Sequence, residues 1–133
     1  MNTDKTPTTE NTALLHGDMT YRVIGLAMEV HSKLGAGFLE KVYESAFMVA
    51  FRREGIRAEQ QVPIKIHFEN VVVGDYVTDI LIEDKLILEL KAVNKISAIH
   101  RAQVINYLKA TGIRLALILN FNAPKLQHER FVL

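Results

Sequence analysis

The segment VVVGDYVTDILIEDKLILELKA, residues 71–92, decides the fold because two apolar runs are joined by a short charged turn. Branched apolar residues dominate both runs, which is typical of β-strands. The pattern predicts one strand over 71–81 and another over 86–92, with the turn at 83–85 and a bulge or bend at Gly74. Centring the turn on Asp84 places Asp79 directly opposite Glu89.

Glu89 and Lys91 interrupt the second of these strands, which should be central in its sheet. A buried charge costs several kcal/mol unless it is paired or coordinates a metal. Directly opposed residues have Cβ atoms about 4.5–5.5 Å apart, so Asp79 and Glu89 would share a proton or a cation such as Mg²⁺ or Mn²⁺. Two alternatives stay open. In the first, a turn of even length puts Asp79 and Glu89 on opposite faces. In the second, Glu89 and Lys91 simply form a salt bridge near the sheet edge.

Helical spacing predicts two helices before the hairpin. The first begins at Asp18, a candidate N-cap, and ends at Gly35, and the second ends at Gly55. The expected apolar faces are Val23, Ala27, Val30 and Leu34 in the first helix, and Leu39, Val42, Ala46, Ala50 and Phe51 in the second.

Further elements complete the predicted order α-α-β-β-β-α-β. A half-buried strand covers 64–68, and a third helix runs from the cap Ser97 to Gly112. A buried strand covers 115–119, and a short strand near 130–132 closes the chain. The expected core face of the third helix is Ile99, Ala102, Ile105 and Leu108. The prediction is an α/β protein with a mixed sheet, a disordered tail at 1–12 and a single domain at 13–133.

Composition excludes several classes of protein. The chain has 133 residues, 49% of them apolar, and no cysteine, so disulfides, iron–sulfur clusters and thiol nucleophiles are excluded. No apolar run approaches about 18 residues, and residues 1–12 do not resemble a signal peptide. We therefore expect a cytoplasmic protein with no membrane partner.

Two polar clusters accompany the charged strand. The second helix opens with Gly37, Glu40 and Tyr43, and Glu40 shares a face with Tyr43 beside the apolar stripe. The third helix carries Gln103 and Tyr107 four residues apart on one face. Each cluster alone is usually a solvated face or a core tyrosine with a polar neighbour.

Together these residues resemble the GxxExxY family of the PD-(D/E)xK nuclease superfamily. Gly37, Glu40 and Tyr43 fit the motif that names the family. The D…(D/E)-x-K core is matched by Asp79, Glu89 and Lys91, and the Q-x-x-x-Y motif by Gln103 and Tyr107. The resemblance runs from about residue 21 to 131 and implies an α-β-β-β-α-β core with an extra N-terminal helix. Thr78 stands where the superfamily name has Pro, and we expect it to take no part in the chemistry.

The resemblance implies a metal-dependent nuclease that uses Mg²⁺ or Mn²⁺. Asp79 and Glu89 would be the metal ligands, with the backbone carbonyl of Leu90 and the accessory ligand or base Glu40. Lys91 would orient or activate a water and stabilise the transition state. The resemblance also gives Gln103 and Tyr107 the role of positioning a phosphate or the metal-bound water. His100 and His31 are expected to be surface or packing residues.

Charge is unevenly distributed along the chain. Residues 1–90 carry nine Lys or Arg and 14 Asp or Glu, whereas residues 91–133 carry seven and one. The basic part supplies candidate phosphate contacts, foremost Lys95, Arg101 and Lys109. We expect a nucleic-acid partner, with DNA favoured over RNA, and a homodimer would enlarge the contact surface. The alternative is a nuclease fold with little or no turnover that binds nucleic acid or a protein.

Overall fold

The computed structural model describes residues 14–133, in which three helices accompany one five-stranded sheet. The tail predicted at 1–12 lies outside these residues. The strands are β1 (Ala58–Phe68), β2 (Val71–Ile82), β3 (Leu86–Lys91), β4 (Leu115–Asn120) and β5 (Gln127–Val132). The helices are α1 (Gly17–Leu34), α2 (Glu40–Glu54) and α3 (Ala98–Thr111).

The sheet order β1-β2-β3-β4-β5 confirms the predicted mixed α/β fold. Strands β3 and β4 are parallel because α3 connects them by a crossover, and the other neighbours are antiparallel. Helices α1 and α2 cover one face of the sheet and α3 covers the other. Central strands are therefore apolar on both faces, as in the fully buried β4.

The predicted hairpin register is confirmed. Ile80 pairs with Leu88 and Ile82 with Leu86, which is the register of a turn centred on Asp84. Glu83 and Asp84 have φ values of 52° and 59°, the left-handed backbone of the tight turns that suit twisted strands. The predicted irregularity near Gly74 is a bulge, since Val73 has no partner between the neighbouring pairs.

Several helical details differ from the prediction. Helix α1 begins at Gly17 after His16, so Asp18 lies in its first turn and is not the N-cap. Leu39 precedes α2 and is 81% exposed, while Tyr43 and Phe47 fill the core instead. Leu34 and Val42 are also exposed.

The predicted core face of α3 is confirmed at Leu108 and wrong at Ile99 and Ala102, while Ile105 is half-buried. Val104, Tyr107 and Leu108 are buried, whereas Ile99 is 80% exposed and Ala102 is exposed. The helix contacts the sheet through a narrow stripe, and its next face looks onto a groove beside the β1–β2 hairpin. Within residues 14–133, none of the helices combines the length and hydropathy that crossing a bilayer requires.

Candidate active site

The ladder between β2 and β3 ends after Ile80 and Leu88, and side chains continue the connection beyond it. Asp79 Oδ2 accepts a hydrogen bond from the backbone N–H of Leu90 at 2.7 Å. Glu89 Oε2 accepts one from the backbone N–H of Asp79 at 3.2 Å. Each carboxylate thus bonds to the opposite strand, so both are fixed where the strands separate, and the charge of Asp79 acts on Glu89.

Side-chain alternation reverses in β1 and β2 close to Asp79. Tyr76 lies against α3, yet Ile80, an even number of residues later, packs under α1 and α2. On β1, Ile64 packs on the α3 side of the sheet, whereas Ala58, also an even number of residues away, packs on the side of α1 and α2. An undistorted strand would keep such residues on one face. The change coincides with Gln61, whose φ is 53°, and with a missing pair opposite Asp79 in the ladder.

Thr78, which we expected to take no part in the chemistry, contacts Glu89 of the carboxylate pair directly. Its Oγ1 donates to Glu89 Oε2 at 2.6 Å, and it is fully buried. A proline at this position could not make that bond. The hydroxyl therefore orients Glu89 and favours its charged form.

The carboxylate pair carries unbalanced negative charge. Burial and then the charge of Asp79 raise the pKa of Glu89 to about 7. Burial also raises the pKa of Asp79, although the hydrogen bond from Leu90 opposes this. Lys91 lies near enough to lower both pKa values without offsetting burial. A cation placed between the carboxylates would compensate this negative charge.

The donor atoms of the pair suit such a cation. Among residues 14–133, the second oxygens, Asp79 Oδ1 and Glu89 Oε1, have no hydrogen-bond partner, and neither is sealed from solvent. Carboxylate oxygens are the ligands that Mg²⁺ and Mn²⁺ prefer, with waters completing the coordination. The residues present therefore fit a hard divalent ion.

Glu40 reaches the same end of β3 from α2. Its Oε2 accepts from the backbone N–H of Ala92 at 3.1 Å. It does not join the pair as a third ligand, because no three His, Asp or Glu side chains of residues 14–133 are arranged to hold one ion. Its charge is felt at Asp79, whose pKa it helps to raise.

Tyr43, the last residue of the motif on α2, supports the loop before the helix. Its hydroxyl donates to the carbonyl of Gly35 at 2.6 Å and accepts from the N–H of Phe38 at 3.2 Å. The ring is buried and stacks on Phe121 at 4.6 Å. Gly37 has a φ of 108°, which glycine tolerates best. This clamp fixes where α2 begins and hence where Glu40 lies.

Glu44, one turn beyond Glu40, is a buried site residue that the sequence reading missed. Its carboxylate accepts from Gln60 Nε2 at 2.7 Å and from Gln61 Nε2 at 3.0 Å, and it pairs with Lys41 at 3.3 Å. Consecutive strand residues reach one carboxylate because the backbone at Gln61 is left-handed. Glu44 lies four residues after Glu40 and so shares its helix face, and this spacing could have identified it from the sequence.

Beyond β3, Asn120 fixes the chain after Lys91. Its side chain accepts from the N–H of Val93 at 3.0 Å and donates to the carbonyl of Val93 at 2.9 Å. Lys91 pairs with Asn120 in the parallel ladder and is half-buried, with no salt bridge to another described residue. Its ammonium group therefore remains available to a ligand.

Helix α3 brings Tyr107 near the carboxylate pair, and Gln103 lies one helical turn before it. Both line the groove beside the hairpin. Burial and then the charges of Glu89 and Asp79 raise the pKa of Tyr107 to about 12, so the hydroxyl keeps its proton at neutral pH. The structure thus gathers residues from β2, β3 and α3 at one place.

The other predicted residues lie further out. Lys95 and Lys109 are exposed, and Arg101 forms an ion pair with Glu129 at 2.7 Å. His100 completes the cap of α3, accepting from the N–H of Ser97 at 3.1 Å. His31 is half-buried beside the carbonyl of Ala123, so both histidines have structural partners.

Comparison with known proteins adds a family and a fold. The family model of the PD-(D/E)XK nuclease superfamily matches residues 17–131. The crystal structure of SSO0001 is similar with a TM-score of 0.52 and 14% identity, over 69% of this chain and 48% of that one. The chain thus spans about half the length of SSO0001. An alkaline exonuclease, LHK-Exo from Laribacter hongkongensis, aligns with a TM-score of 0.45 and 12% identity, over 84% and 69% of the two chains. No curated protein matches.

Proposed function

Since the chain belongs to the PD-(D/E)XK nuclease superfamily, we propose that it is a metal-dependent nuclease that hydrolyses phosphodiester bonds. The observation that carries the proposal is the Asp79–Glu89 pair, held by cross-strand hydrogen bonds with one oxygen of each carboxylate unused. A purely structural carboxylate pair would use those oxygens. The narrower resemblance to the GxxExxY family stays a prediction.

Asp79 Oδ1, Glu89 Oε1 and the carbonyl of Leu90 would hold one divalent ion, and Glu40 would act as an accessory base and not as a ligand. When bound there, Mg²⁺ or Mn²⁺ would polarise the phosphodiester and make a water molecule more acidic. Thr78 orients Glu89 for this task, and its hydrogen bond favours the charged form of the carboxylate. Glu44 shapes the strand irregularity from which Asp79 projects.

Lys91, Gln103 and Tyr107 would act on the phosphate. The ammonium group of Lys91 would stabilise the negative charge that develops on the phosphate oxygens and orient the attacking water. Tyr107 keeps its proton at neutral pH, so its hydroxyl can donate a hydrogen bond to a phosphate oxygen. The amide of Gln103 would fix the same group from one helical turn away.

The substrate we propose is nucleic acid, with DNA favoured by the family resemblance. Lys95 and Lys109 are exposed and would contact phosphates. Arg101 would contribute less, because Glu129 balances its charge, although exposed ion pairs of this kind are worth only about 0–1 kcal/mol. A homodimer would extend this surface.

The test is a cleavage panel of single- and double-stranded DNA and RNA with Mg²⁺, Mn²⁺ or EDTA. Lys91→Met retains the side chain's length but removes its charge, and Lys85→Met makes the same change in an exposed turn. We expect metal-dependent cleavage that Lys91→Met abolishes and Lys85→Met leaves intact. Equal activity in all three proteins would indicate a contaminant and refute the proposal. Binding without cleavage would support the alternative, a non-cleaving nucleic-acid module.

A further inference from the structure

A groove of about 740 Å³ runs between the outer half of the β1–β2 hairpin and α3. We call it the hairpin groove. One wall is formed by Lys65, Ile66 and His67 of β1 and Tyr76 of β2. The other wall is the face of α3 from Ile99 to Ala110. The volume lies within the range of ligand sites of about 300–1,000 Å³.

The lining of the groove combines positive charge with exposed aromatic and apolar surface. Lys65 and Lys109 contribute positive charge, and no Asp or Glu of residues 14–133 lines the groove. Tyr76 is 48% exposed, and its ring centroid lies 5.9 Å from that of Tyr107. A basic track beside an aromatic platform is the pattern used to bind single-stranded nucleic acid.

The groove is continuous with the candidate active site. Gln103 and Tyr107 line it, and Tyr107 is close enough to Glu89 to respond to its charge. The groove and the candidate active site are continuous because side-chain alternation reverses near Asp79. This reversal turns Tyr76 toward α3, the same side on which Thr78 meets Glu89.

We propose that the hairpin groove binds a single-stranded segment of nucleic acid, with a base stacked on Tyr76 and a phosphate at Lys109. The inference rests on the proposed function and names its substrate class. Bases in a duplex are already stacked and paired, whereas an unpaired base offers its face to an aromatic ring. Lys65 is held by Asp75 at 2.7 Å, but both groups are exposed, so a phosphate can compete for it.

Binding is measured by fluorescence anisotropy in EDTA, using one labelled oligonucleotide as a single strand and as a blunt duplex. We expect the single strand to bind more tightly than the duplex. Tyr76→Ala should weaken its binding by about tenfold or more, and Tyr76→Phe should retain it. Tyr21→Ala, at an 84% exposed tyrosine of α1, is the matched control and should change nothing. Lys109→Ala should lower the salt slope by about 0.7, and Lys85→Ala should not.

Equal affinity for the duplex, or unchanged binding by Tyr76→Ala, would overturn the inference. A second copy of the chain could also occupy the groove, and analytical ultracentrifugation of the same proteins tests this by measuring their oligomeric state. A wild-type dimer that Tyr76→Ala dissociates would make the groove a self-interface and also overturn it. Since binding is read without metal, its failure is distinct from a failure of cleavage. Single-strand binding without cleavage would refute the nuclease alone, and cleavage without a single-strand preference would refute the groove alone.

Discussion

Replacing Glu89 by glutamine should stabilise the protein at alkaline pH while removing its function. Glutamine keeps the shape and can still accept from Thr78 and the N–H of Asp79, but it carries no charge. The pKa of Glu89 rises from 4.5 to about 7 in the folded chain. At 1.36 kcal/mol per pKa unit, the buried charge costs about 3 kcal/mol. The side chain is only 4% exposed, so solvent does little to reduce this cost.

The sign of the pH dependence follows from proton binding. Below pH 4.5 both folded and unfolded chains hold the proton, so the variant gains little. Between pH 4.5 and about 7 the folded chain binds more protons than the unfolded chain, so wild-type stability falls as pH rises. Above pH 7 the full cost is present, and the stability gain of Glu89→Gln reaches its maximum.

Urea unfolding at pH 4.5, 6 and 8, with EDTA present, measures this difference. We expect a gain approaching about 3 kcal/mol at pH 8 that fades at the lowest pH. Glu59→Gln, at an exposed position on β1, is the matched control and should show no such trend. A gain that is the same at every pH, or a loss of stability at pH 8, would refute the reasoning about the buried charge.

Three other substitutions test the surroundings of the pair. Thr78→Val removes the donor to Glu89, so the pKa of Glu89 should rise further, and calorimetry should show weaker Mn²⁺ binding at pH 7 that recovers at pH 9. Tyr43→Phe leaves the Gly35 carbonyl without its donor and should lower the free energy of unfolding in urea by about 1–3 kcal/mol. In Glu44→Gln the new amide cannot accept from two glutamine side chains as the carboxylate does, so the free energy of unfolding should fall by a similar amount. An unchanged thermal midpoint would contradict a structural role for Glu44.

The hairpin could be predicted from the sequence because turn length fixes strand register. An odd turn centred on Asp84 determines which residues of β2 and β3 oppose each other, and the observed pairs follow it. The strong apolar runs and the cap at Ser97 likewise have local causes that a sequence displays. Elements and their order were therefore accessible without coordinates.

The details of the site depend on tertiary distortion, which periodicity does not reveal. If side chains alternated strictly along β2, Thr78 would point away from Glu89. The two residues meet because the alternation reverses beside Gln61, whose backbone is left-handed. From the sequence, Glu44 looks like a solvent-exposed helix residue. Only the folded chain places both glutamines of β1 against it. The apolar face of α3 was misassigned because Ile99 faces a groove and not the core.

The most direct test of the account is a calorimetric titration with Mn²⁺ of the wild type, Asp79→Asn and Asp84→Asn. Asp84 lies in the exposed turn at the far end of the same hairpin and is the matched control. We expect the wild type and Asp84→Asn to bind Mn²⁺ alike, and Asp79→Asn to lose at least about tenfold in affinity. No binding by the wild type, or equal affinity in Asp79→Asn, would contradict the claim that the Asp79–Glu89 pair is a metal site.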